Sequence, residues 1–124
     1  MKKLFCLLLL PVLLAGCTTI TNLAPSQYPR NDTGNYRVEA EWSSRRSTII
    51  PDSFQPLVVI GFNTYPMRPV AVVQDRWEAF IPVGADTNIV LYRYKFDFKV
   101  DAIGKPHWDS LMSPEYSLKI TDKK

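Results

Sequence analysis

Residues 90–100 read Val90-Leu91-Tyr92-Arg93-Tyr94-Lys95-Phe96-Asp97-Phe98-Lys99-Val100. Val90, Tyr92, Tyr94, Phe96, Phe98 and Val100 fall on one side of a two-residue period, and Leu91, Arg93, Lys95, Asp97 and Lys99 on the other. That is the signature of a long strand with one face in a core and one in water. Other segments repeat the pattern. Tyr36, Val38, Ala40 and Trp42 alternate with Arg37, Glu39 and Glu41, and Tyr116, Leu118 and Ile120 form a closing strand. Leu57 to Phe62 (LVVIGF) is continuously apolar and β-branched, the pattern expected of a strand buried on both sides.

Between these strands the chain is punctuated. Ser43 to Pro56 reads as a loop or weak edge strand, Asn63 to Pro69 as a turn, Val70 to Val73 and Arg76 to Val83 as two further strands, and Asp101 to Pro114 as a long loop. Whether Arg76 to Val83 forms a hairpin with the Val90 strand is open. With about seven short strands and no helical stripe, the expected fold class is all-β, an immunoglobulin-like sandwich.

The N-terminus has a different character. Lys2 and Lys3 precede the apolar run Leu4 to Leu14, and Ala15 and Gly16 follow it. This is the layout of an export signal. The run is too short for a span of about 20 apolar residues, and Pro11 would break a permanent helix. Leu14-Ala15-Gly16-Cys17 resembles the lipobox of bacterial lipoproteins. The resemblance implies cleavage before Cys17, a diacylglycerol on its sulfur and an acylated new amine. Several acyl chains on one residue anchor stably where one would not. Thr18, rather than Asp, follows the cysteine, which by the same resemblance implies the outer membrane. The expected layout is a signal peptide over 1–16, a lipidated N-terminus and flexible tether over 17–34, and the sandwich over 35–124. The tether reading rests on the polar, proline-containing stretch from Thr18 to Gly34.

Removing Lys2 and Lys3 leaves 13 basic residues of the original 15, against 12 acidic ones. A nearly neutral domain without a basic cluster points away from nucleic acid. Cys6 leaves with the signal and Cys17 is taken by lipid. Disulfides, thiolate metal sites and cysteine nucleophiles are therefore not expected in the mature chain. His107 is the one histidine, and no Gly-x-Ser-x-Gly elbow, phosphate-binding glycine loop or zinc-spaced histidine pair accompanies it. The expectation is a protein with no catalytic residues, metal or cofactor. A small hydrolase built on His107, Asp109 and Ser110 is the remote alternative.

From about Leu57 to Ile120 the chain resembles the early-set glycogen-recognition domains of the AMP-activated kinase beta subunit and of starch-branching enzymes. Gly61-Phe62-Asn63 and Tyr94-Lys95-Phe96 carry the resemblance most sharply. In that family an aromatic after the Phe-Asn pair, the lysine of the Tyr-Lys-Phe strand and a tryptophan in the next loop form a platform for α-glucan. The corresponding positions here are Tyr65, which stands one residue late and is not a tryptophan, Lys95 and Trp108. Sugar rings stack their apolar faces on aromatics while a lysine donates to hydroxyls. The functional expectation is a membrane-anchored envelope lipoprotein serving as a non-catalytic binding or structural module. Its expected partner is an envelope protein or, alternatively, a glucan bound through Tyr65, Lys95 and Trp108.

Overall fold

The computed structural model describes residues 18–122, so the expected signal peptide and the expected lipidation site, Cys17, lie outside the described residues. The chain is an all-β sandwich. In chain order its strands are β1 (Thr18–Asn22), β2 (Gln27–Pro29), β3 (Asn35–Ser44), β4 (Gln55–Ile60), β5 (Asn63–Pro66), β6 (Arg68–Pro69), β7 (Arg76–Pro82), β8 (Ile89–Ala102), β9 (Lys105–Met112) and β10 (Tyr116–Thr121). One sheet has the order β1-β3-β7-β6. The other runs β2-β10-β8-β4-β5, with β9 also paired to β8. Steps β3 to β4 and β7 to β8 cross between sheets, and β2 lies parallel to β10. This is an immunoglobulin-like arrangement, with ten strands in place of the expected seven or so.

The alternation of residues 90–100 is realised throughout β8. Tyr92, Tyr94, Phe96, Phe98 and Val100 are buried, and they face Tyr36, Val38, Ala40 and Trp42 of β3 across the core. Trp42 is the densest point. Its ring centroid lies 5.0 Å from Phe96, 5.2 Å from Phe54 and 5.3 Å from Phe98. Aromatic pairs at such separations add about 0.5–1.5 kcal/mol beyond simple burial.

The stretch expected to be a tether is instead part of both sheets. β1 pairs along β3 from Thr18 opposite Ser44 to Asn22 opposite Ala40, and β2 pairs with β10. Asn22 Nδ2 donates to the Tyr92 hydroxyl at 3.0 Å, and the Tyr94 hydroxyl lies 2.7 Å from Asn22 Oδ1. Tyr28 donates to the Arg37 carbonyl at 2.7 Å. Nothing local predicts these strands, because the partners that satisfy them lie as far away in sequence as Lys119 is from Gln27.

Several connections also differ from expectation. Asp101 to Pro114 is no loop. β8 runs on to Ala102, turns at Ile103-Gly104 with φ of 53° and 73°, and returns as β9 with Ala102 opposite Lys105. Positive φ at both central residues is the geometry of a two-residue type I′ hairpin turn. Near Ser113 the pairing partner of β8 slips by one residue, from Lys95 opposite Met112 to Tyr92 opposite Tyr116. The buried Ser113 hydroxyl accepts the Tyr94 N–H there at 2.9 Å, and the bulge keeps Tyr116 on the core side.

The Leu57–Phe62 run is half-buried rather than covered on both sides. Val58 faces the core, Leu57 and Val59 are partly exposed, and Gly61-Phe62 form a turn. Asn63–Pro69 then supplies β5 and β6, with Met67 buried between them. Val70 to Val73 belongs to a turn that reaches φ of 69° at Val72. β7 and β8 lie in different sheets and form no hairpin.

Candidate functional site

The outward face of β8 and of its neighbours β4 and β9 carries the exposed polar and aromatic groups of interest. Pairing sets them in transverse rows, since directly opposite residues share a face. One row is Leu57, Lys95 and Met112, and the next is Gln55, Asp97 and Ser110. Beyond these, Lys99 stands opposite Trp108. The Lys99 ammonium lies 5.2 Å from the centroid of the Trp108 ring, within cation–π range. Trp108 is 52% exposed. Lys95 Nζ reaches Asp97 Oδ1 at 3.4 Å.

Two open grooves flank Trp108. One, of about 550 Å³, is lined by Gln55, Asp97, Trp108, Asp109 and Ser110. The other, of about 360 Å³, runs over Phe54, Lys99 and Pro106 to the 50–53 segment. An aromatic plate between an amide, a carboxylate, a hydroxyl and an ammonium can hold a ligand by stacking and directional hydrogen bonds.

The three residues expected to form a glucan platform do not come together. Tyr65 pairs with Val58, which pairs with Tyr94, and Tyr65 packs against the core. It occupies the opposite face of the sheet from Lys95 and Trp108. Lys95 shares a face with Trp108, but the cation over the ring is Lys99, four residues further along β8. At about 3.3 Å per residue, Lys95 stands about 13 Å away along the strand. Lys99, Asp97, Ser110 and Gln55 were missed as site residues. The alternation of residues 90–100 already put Lys99 and Asp97 on the wet face, whereas Ser110 and Gln55 depend on strand register.

The His107, Asp109 and Ser110 alternative is split by the same alternation. His107 stands opposite Val100 and Asp109 opposite Phe98, whereas Ser110 stands opposite Asp97 on the other face. The Asp109 carboxyl is held below the usual range by the Ser110 N–H at 2.8 Å and by Arg46 Nη1 at 3.1 Å, with His107 adding a smaller attraction. These contacts tie β9 to the 45–53 loop. Trp42 is core, and Trp77 is half-buried with its ring 6.3 Å from Phe54. Among the described residues, no cluster of three His, Cys, Asp or Glu side chains could hold a metal. No helix among them is long and apolar enough to cross a membrane.

Compared with known proteins, the chain matches no family model and has no significantly similar curated protein or solved structure.

Proposed function

We propose that this chain is an envelope lipoprotein, anchored through acylated Cys17, whose sandwich is a non-catalytic binding module reading its partner with the outward face of β8 and β9. The observation that carries the recognition face is Trp108, half-exposed under Lys99 between two open grooves. Tryptophan is enriched among residues that dominate binding energy. The anchoring rests on the Leu14-Ala15-Gly16-Cys17 motif. An outer-membrane location rests on Thr18.

Site-specific photo-crosslinking in the native envelope tests the recognition face. A photoreactive residue at Trp108 is expected to give a discrete adduct that Phe80, exposed on the other sheet, does not give. Equal labelling from both positions, or none from Trp108, would remove the face from consideration.

A glycan is the second reading. Gln55, Asp97 and Ser110 beside the Trp108 plate favour it, and it no longer involves Tyr65. Titration with maltooligosaccharides should quench tryptophan emission in the wild type and not in Trp108→Ala. No change in the wild type would reject α-glucan as the ligand.

A further inference from the structure

Three connections lie at the end of the sandwich where β3 finishes: the 45–53 loop, the 70–75 turn and the Ile103-Gly104 turn. Hydrogen bonds join them to their neighbours there. Trp42 N donates to the Asp75 carbonyl at 2.9 Å, Asp101 N to the Thr48 carbonyl at 2.8 Å, and Ile49 bridges to Val100. β1 starts at this same end. Thr18 pairs with Ser44, the last residue of β3, and their hydroxyls are 2.8 Å apart. Cys17 immediately precedes Thr18 in sequence, so no spacer separates the proposed anchor from the first described residue of β1.

Two of the connections present an unusual residue. Val72 has φ of 69° and is 105% exposed, and Ile103 has φ of 53° and is 103% exposed. Left-handed backbone is strongly disfavoured for β-branched residues, which is why such turns normally carry Gly, Asn or Asp. Neither side chain gains burial in return, and Val73 adds further exposed apolar surface. Strain held at exposed positions points to use. The charged residues of the three connections are Arg45 and Arg46 against Asp52 and Asp75. Equal numbers of each sign give no net pull toward an anionic surface.

We propose that this end of the domain sits on the lipid surface, with Val72 and Ile103 entering the boundary between headgroups and acyl chains beside the lipids of Cys17. The proposal rests on the reading of Cys17 as acylated. Interfacial side chains typically bury about 5–10 Å deep, which matches single residues at the tips of tight turns. Two apolar tips and one anchor make a three-point contact, so the domain stands in a fixed orientation instead of tumbling on a tether. Trp108, three residues past Lys105 on β9, is then held about 13 Å above the Ile103 turn along the strand. Its grooves face sideways, toward partners in the same membrane.

The experiment uses the acylated full-length product, whose mature form offers no free thiol of its own. Single cysteines replace Val72, Ile103 or, at the opposite end, the 106% exposed Phe62. Each carries a polarity-sensitive bimane and is reconstituted into vesicles of phosphatidylethanolamine and phosphatidylglycerol. Labels at 72 and 103 are expected to shift to the blue and to be quenched by brominated lipid, independently of salt, while the label at 62 stays unchanged. Labels at 72 and 103 that behave like the one at 62 would overturn the seating. Intact mass is measured first. An unacylated product overturns the anchoring reading and the seating with it, whereas an acylated product with unshifted labels overturns the seating alone.

Discussion

Replacing Ile103 by Asn should make the protein more stable. Ile103 occupies the first central position of the two-residue turn between β8 and β9, with φ of 53°, followed by Gly104 at 73°. An L-residue in left-handed backbone costs about 1–2 kcal/mol, and a branched Cβ sits at the upper end of that range. The fully exposed side chain returns nothing through packing. Asn tolerates this conformation, and Asn-Gly is the preferred pair for a type I′ turn. Recovering about 1 kcal/mol should move the urea midpoint up by about 0.5 M at an ordinary m-value near 2 kcal/mol/M. The melting temperature should rise by about 4 °C. Tryptophan fluorescence of residues 18–124 follows the transition, and Ile103→Val, which keeps the branch, should show no gain. A midpoint for Ile103→Asn at or below wild type would refute the left-handed strained turn. Stabilisation on removing Ile103 is also what a residue retained for membrane contact should show, since function rather than fold then keeps it there.

Two further outcomes follow from the same structure. Asn22→Ala removes the donor to the Tyr92 hydroxyl, while the Tyr94 hydroxyl keeps the Glu39 carbonyl at 3.1 Å, and should cost about 1 kcal/mol; a loss near zero in urea unfolding would return β1 to the status of a tether. Glu78 is held below its ordinary value of 4.5, first by the hydrogen bond from Arg37 and then by Arg68. A depressed carboxyl contributes stability that is complete above that value and disappears as pH falls through the lowered one. Glu78→Gln should therefore be destabilised by under about 1 kcal/mol at neutral pH, as a partly exposed pair allows, and should converge with wild type in acid. A gap between the two that is constant with pH would show that the ion pairs contribute nothing.

The fold was readable where a long segment carried its own period. Residues 90–100 expose their alternation without help from the rest of the chain, and β3 and β10 do so over fewer residues. β1 and β2 were hidden because their stability comes from β3 and β10, far away in sequence, and their own residues are mostly polar. β9 was hidden because Gly104 and Pro106 look like loop punctuation. In fact Gly104 closes a tight turn, and Pro106 is tolerated on a strand with only one neighbour, β8. The site followed the same division. The wet face of β8 was legible, but which aromatics stand beside it depended on register, where a shift of one residue changes the face. Tyr65 falls on the core face in this way, while Trp108 falls on the wet one. The partner of Trp108 turned out to be Lys99, because β9 folds back along the outer part of β8 instead of looping over Lys95.

The proposed membrane anchorage at Cys17 underlies both the proposed recognition face and the proposed seating, and the intact mass of the membrane-extracted chain tests it most directly. The expected product begins at Cys17 and carries the added mass of a diacylglycerol and an N-linked acyl chain, with Cys17→Ser remaining an uncleaved, unlabelled precursor. A wild-type chain recovered without acyl mass, or cut elsewhere and released into the soluble fraction, would leave the sandwich without its anchor and the account without its foundation.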